Sequence, residues 1–256
     1  MAPASTAFAK SPNVRYNPSM PMTNDQLATL AKQLVEIAAQ KPIPLRVLGG
    51  VAIYLTCSSI ETHPTLQRTF KDLDFVAAQK DFDALASLLA AQGLNLRTRA
   101  RERLVFEQDG VEIEIIAPDY REDHRIDLTA RLALSSPTLP LADLLLIKLQ
   151  RVQFAEKDIQ DSIALLLDHR VGRGEGEDQI DRAYIAKLAA RQWGLFTTAY
   201  ANSITLEKVL DKYLEPEEAQ LVWRRIELLQ EDMDRAPKSF GWMVNQFLKR
   251  PAEVPR

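Results

Sequence analysis

Two aspartates one residue apart, Asp72 and Asp74, have the types and spacing in this 256-residue chain best suited to chemistry. They lie in the run Lys71-Asp72-Leu73-Asp74-Phe75-Val76, which reads as a strand. Side chains on a strand alternate faces, so both carboxylates project from one side, roughly 6–7 Å apart. Two like charges so placed repel each other, and a cation between them relieves that repulsion. Paired oxygen ligands suit Mg2+ held jointly with substrate phosphates. Two such ions about 3.5–4 Å apart clamp the attacking and leaving oxygens of a phosphoryl transfer. Upstream, the apolar run 45–48 ends in Gly49-Gly50 and passes into a helix-like segment. Glycines let the backbone approach an anion, and the N-terminus of the helix that follows attracts phosphate.

A Gly-Gly turn from strand to helix, then Asp-x-Asp on the next strand, resembles the signature of the nucleotidyltransferase superfamily with its polymerase-β-like fold. The matching residues are Leu48-Gly49-Gly50 and Asp72-Leu73-Asp74-Phe75. Lys71 stands where the pattern has an apolar residue, and the gap from Gly50 to Asp72 exceeds that of the smallest members. The resemblance implies a third carboxylate on a later strand. Glu114, in Val111-Glu112-Ile113-Glu114-Ile115-Ile116, takes that place, one methylene longer than the usual aspartate. Glu112 shares its face but reads as a plain solvent-facing residue. Further on, the leucine-rich stretch 141–150 carries Lys148, and Lys157-Asp158-x-x-Asp161 follows. That segment resembles the bacterial nucleotidyltransferases related to the abortive-infection AbiEii toxins, and the likeness spans about residues 44–170.

The resemblance implies transfer of a nucleoside monophosphate from an NTP to an acceptor. Asp72, Asp74 and Glu114 would hold Mg2+, with Mn2+ as a substitute. Gly49, Gly50 and Lys148 would bind the nucleotide. The acceptor stays open among tRNA, a protein hydroxyl and a small molecule such as an antibiotic. A toxin role would bring an antitoxin partner. Two other readings of Lys148 stand beside the phosphate one: a salt bridge to Asp158, or an ammonium snorkelling to water from an apolar helix. Asp158 and Asp161 lie near a helix N-terminus, where the dipole favours acids in any case. From a different class comes a non-catalytic nucleotide- or partner-binding module with a degenerate acid site, for which Glu114 and Lys71 speak.

The elements that must position these residues are legible as periodicity. A helix capped within Thr23-Asn24-Asp25 runs over 27–40, and strands cover 45–48 and 72–77. A helix over 51–57 and an irregular stretch over 58–70 lie between those strands. Next come a helix over 81–92 stopped by Gly93, and a hairpin turning at Asp109-Gly110. Arg97, Arg99, Arg101 and Arg103 share one face if 94–105 is a continuous strand. They then form either a solvated edge or a basic ribbon for triphosphate or RNA backbone. Helices are expected over 141–150 and 156–169, with Gly172 to Gly176 as a linker; from 178 on the pattern is helical almost throughout, with further helices over 206–214, 217–232 and 240–248. The three tryptophans read as core anchors, His63, His124 and His169 as surface residues, and Cys57 as a small buried hydrophobe.

The fold class that follows is α/β (α+β): a nucleotidyltransferase-like mixed sheet with flanking helices, then an all-helical C-terminal domain. A disordered arm over 1–22, a catalytic unit over 23–135 and a helical region over 136–250 are the expected divisions. Net charge is −3, which gives no global drive toward nucleic acid. One cysteine excludes an internal disulfide and suits a reducing cytoplasm. No apolar run reaches membrane-spanning length, and the N-terminus lacks the layout of a signal peptide.

Overall fold

Helix α1 (Asn24–Ala39) opens the described part of the chain, residues 21–248 of the computed structural model. The expected N-terminal arm lies outside the described residues, except for positions 21 and 22. Thr23 starts α1 with a capping box: its hydroxyl accepts from the Gln26 amide at 3.3 Å, and Gln26 Oε1 accepts from the Thr23 amide at 2.8 Å.

The chain then crosses into β1 (Arg46–Leu48), α2 (Gly49–Thr56) and the single turn α3 (Ser59–Thr62). Next come β2 (Asp72–Val76), α4 (Phe82–Ala91), β3 (Asn95–Arg99), β4 (Arg103–Gln108) and β5 (Val111–Ile116). These five strands form one mixed sheet in the order β1-β2-β5-β4-β3. Only the β2–β5 pair is parallel; the others are antiparallel. The expected hairpin is present: Gln108 pairs with Val111 across a two-residue turn whose Asp109 and Gly110 have φ of 52° and 78°. One sheet face is apolar and closed, with Leu73, Phe75, Leu104, Phe106, Ile113 and Ile115 fully buried. The other face carries the acids.

The arginine row does not form one ribbon. The strand expected over 94–105 breaks into β3, a turn and β4, with a register shift between Leu96 and Thr98. Each of three arginines then finds an acid: Arg97 pairs with Glu107, Arg99 with Asp83, and Arg103 with Glu114.

A small hairpin of β6 (Asp119–Arg121) and β7 (Arg125–Asp127) follows. Residues 137–139 then add to the free edge of β1, where Val47 N donates to Pro137 O and Leu139 N to Val47 O. Helices α5 (Leu141–Leu149) and α6 (Glu156–Asp168) pack together, and every residue of α5 is buried. The expected glycine linker is instead a loop between two short parallel strands, β8 (Arg170–Gly172) and β9 (Gln179–Asp181). Helices α7 (Arg182–Ala189), α8 (Trp193–Tyr213), α9 (Pro216–Arg235) and α10 (Phe240–Phe247) complete the fold. The helix expected over 206–214 is the second half of α8.

The architecture is thus a mixed α/β sheet with flanking helices and a helical C-terminal region. One contiguous apolar core takes in Leu27 of α1, Phe75 of β2, Leu145 of α5 and Val222 of α9. Of the tryptophans, Trp242 is buried and stacks edge-on against Trp193, whereas Trp223 is exposed on α9. The histidines also depart from expectation. His124 and His169 are buried, each satisfied by polar partners: Thr198 for His124, and Asp178 for His169. Cys57 is buried, as expected. Among the described residues no helix is long and apolar enough to cross a membrane.

Candidate active site

Parallel pairing of β2 with β5 sets the acids side by side. Asp72 lies opposite Glu112 and Asp74 opposite Glu114, and on the other side Asp74 faces Leu48 at the end of β1. Directly paired residues share a face, so four carboxylates stand together on the open side of the sheet. Asp72 and Glu112 are exposed at its edge; Asp74 and Glu114 are half-buried nearer its middle. Burial, then the charges of Asp72 and Glu114, push the Asp74 carboxyl up to about 7, against the pull of Lys148 and Lys157. A carboxyl raised by neighbouring carboxylates is the electrostatic mark of a site that a cation would relieve.

The glycines are required by close packing. Gly49 has φ +72°, and a Cβ there would stand 2.3 Å from Asp74 Oδ2. A Cβ on Gly50 would meet Phe70 Cδ1 at 2.5 Å and Arg68 Nη2 at 2.8 Å. The turn therefore presses its backbone onto the Asp74 carboxylate and onto the guanidinium of Arg68. This is a tighter reason for glycine than access to an anion alone.

The opposite wall comes from α5, α6 and the loop before β2. Lys148 Nζ lies 2.8 Å from Asp161 Oδ2 and 3.6 Å from Asp158 Oδ1. The lysine is thus ion-paired, as one of the residue-level readings had it, and Asp161 is the nearer partner. It still lines the cleft. That cleft has a volume of about 530 Å3 and is bounded by Gly49, Gly50, Asp72, Asp74, Glu114, Lys148 and Lys157, among others. All six sequence-chosen residues (Gly49, Gly50, Asp72, Asp74, Glu114 and Lys148) therefore meet in one cavity of a size that holds a small ligand. His63 is not among its lining residues; its ring nitrogen sits 3.2 Å from Glu218 instead.

Sequence reasoning missed several lining residues. Arg68 comes from the stretch read as irregular, where no periodicity marks any residue. Tyr120 and Arg121 come from the unforeseen β6, and Arg151 from just beyond the end of α5. The rim is balanced in charge: Arg121 and Arg125 pair with Asp119, and Arg151 with Glu122.

No family model matches the chain, and no curated protein matches it. Among solved structures it is similar to the antibiotic-resistance factor ANT(2'')-Ia, at 13% identity over 56% of this chain and 84% of that one, with a TM-score of 0.40. An antigenic nucleotidyltransferase-like protein from Paracoccidioides brasiliensis matches at 16% identity over 88% and 100% of the two chains, TM-score 0.44. Terminal uridylyl transferase 4 from Trypanosoma brucei, with bound GTP, matches at 12% identity over 58% and 51%, TM-score 0.30. None of the three reaches a TM-score of 0.5, and function is read from the cleft itself.

Proposed function

We propose that the chain transfers a nucleoside monophosphate from an NTP to an acceptor hydroxyl, with Mg2+ or Mn2+ at the acid face of the sheet. One observation carries this reading. Asp72, Asp74 and Glu114 stand on one face of paired strands, across a single cleft from Lys148 and Lys157. The donor set fits a divalent cation, because Asp74 is held against two like charges that such an ion would neutralise. Among the described residues no three Asp, Glu, His or Cys side chains are placed to ligate one ion together. Asp72 and Asp74, joined by phosphate oxygens of the donor, are therefore the fitting ligands. Glu114 would join them on leaving Arg103, whose Nη1 lies 3.3 Å from its Oε1. A bound Mg2+ supplies Lewis-acid stabilisation of the transferring phosphoryl group and lowers the pKa of the acceptor hydroxyl.

The protein's own groups do the rest. Asp74 must lose its proton to hold a cation, and burial with the charges of Asp72 and Glu114 raises the cost of that step until the cation is in place. Lys148 and Lys157 offset the charge of the triphosphate from the facing wall. Gly49 and Gly50 leave room for the Asp74 carboxylate and the Arg68 guanidinium to pack against the turn. The presence of Lys148, Lys157 and Asp158 at the cleft, with Asp161 behind Lys148, supports the likeness to the AbiEii-related enzymes. For a toxin role, growth arrest on expression, abolished by Asp74→Asn, is the expected sign.

Calorimetric titration of each NTP with Mg2+ tests the donor site. Wild type should bind at least one NTP in a metal-dependent way, and Asp72→Asn/Asp74→Asn should not. Equal binding by both chains, or none by wild type, would sink the reading. The Arg103–Glu114 ion pair favours the second reading, a non-catalytic nucleotide-binding module. That reading gains if NTP binds without turnover against any acceptor.

A further inference from the structure

A second cavity, of about 720 Å3, lies at the edge of the sheet and shares no lining residue with the acid cleft. Residues 134–141 form one wall, next to Leu55 and Thr56 at the end of α2. Lys32 reaches it from α1, and Glu175 and Glu177 from the loop between β8 and β9. Buried Arg131 pairs with Glu175 and ties that loop in place. Lys32 and Glu177 enter no ion pair among the described residues. The wall itself carries a strand edge without a neighbour. Val47 of β1 donates to Pro137 O at 2.9 Å and accepts from Leu139 N at 3.1 Å. Thr138, which bridges Val47, therefore turns its own N–H and C=O the other way, off the outer edge of the sheet. Neither group has a hydrogen-bond partner among the described residues, although Thr138 is only 4% exposed. A backbone pair left unmatched at that burial is costly, and folded proteins nearly always supply a partner. Pro137 and Pro140, which lack an N–H, close the edge on both sides, so it does not template open-ended sheet growth.

We propose that this groove binds an extended peptide segment of a partner protein, which adds a short strand outside Thr138. One residue of the peptide exchanges two hydrogen bonds with Thr138, and its neighbours lay apolar side chains along Leu55 and the half-exposed Leu134. A Lys or Arg of the peptide meets Glu177, and an Asp or Glu meets Lys32. One free cation, one free carboxylate and a backbone donor–acceptor pair are what the groove leaves unmatched, and a peptide of mixed charge supplies all three complements. Thr138 also lies recessed in the cavity. A thin extended chain reaches it there, whereas the edge of a second copy, recessed in the same way, does not.

The test follows the Thr138 amide of the full chain by NMR during titration with capped seven-residue Val/Thr peptides. Each peptide carries one Lys and one Glu, in both orders and at every spacing. At least one should move that amide and bind at about 1 mM or tighter. Thr138→Pro removes an N–H that β1 does not use, so the fold should hold while that peptide binds about tenfold more weakly or worse. Glu177→Lys, at an exposed position, should reverse the charge preference, so that replacing the peptide's Lys by Glu now strengthens binding. A merely structural role for the loop would not reverse it. Where Thr138→Pro fails to fold, the charge reversal decides. The proposal is overturned if no peptide moves the Thr138 amide, if a folded Thr138→Pro chain binds as wild type does, or if Glu177→Lys leaves the preference unchanged. A wild-type dimer in sedimentation that Thr138→Pro dissociates overturns it too, since the edge would then belong to a second copy.

Discussion

At Asp74, burial and two like charges act in the same direction, and the consequence is a pH dependence with a definite sign. The folded-state carboxyl is raised to about 7, above the value of roughly 3.9 expected in an unfolded chain. Its contribution to stability is therefore fully present below about pH 4 and is lost as pH rises through about 7. Melting of the metal-free protein at pH 5 and pH 8 reads this out against Asp74→Asn. The variant should lose less stability than wild type between the two pH values, by on the order of a few kcal/mol. Added Mg2+ should restore wild type at pH 8 and do little at pH 5, where the proton competes for the same oxygens. Parallel pH dependence in the two chains would refute the account. The types and spacing of Asp72 and Asp74 already pointed to a cation, because alternation along a strand is a local rule. The strength of the effect was not legible, since it depends on Glu114 from a strand 40 residues on in sequence, paired in register. Arg68 was illegible altogether: nothing local distinguishes it, and its place in the cleft comes from an aspartate on α6.

At the scale of elements, two glycine turns of similar backbone shape separate local from tertiary constraint. Gly110 in the β4–β5 hairpin has φ +78°, and a Cβ there meets nothing within 4 Å. Gly110→Ala should cost only the left-handed backbone penalty, about 1–2 kcal/mol. Gly49 has φ +72°, but its Cβ would press into the Asp74 carboxylate at 2.3 Å. Gly49→Ala should cost more than Gly110→Ala by about 1–3 kcal/mol, the usual range for overpacking, and should also abolish metal-dependent NTP binding. Denaturant midpoints of the two variants, with the calorimetry above, give the comparison. Equal losses would mean that the floor of the cleft yields freely. The hairpin was visible in the sequence because Asp-Gly demands its own turn. The arginine row was misread because alternation was extended across a break: the shift at Arg97 and the turn at 100–102 send the arginines to separate acids.

Across the whole molecule, one core joins the sheet to the C-terminal helices, and residues 137–139 pair with β1. All three tryptophans lie between 193 and 242, in the helical region, whereas all strands of the five-stranded sheet precede residue 117. If the shared core makes a single cooperative unit, tryptophan emission and far-UV circular dichroism should lose their native signals at the same denaturant concentration. Separated transitions would show two units that unfold independently.

By itself the sequence determined most of the helices, the central strands, the hairpin turn and the six residues that meet at the cleft. Periodicity, capping and turn chemistry act over a few residues, and these features need nothing further. Only the tertiary structure decided which charges face one another. It set Asp74 against Glu114, gave Lys148 to Asp161, brought Arg68 into the cleft, and buried His124 and His169. Ion pairing and burial depend on segments distant in the chain, and no local pattern carries that information.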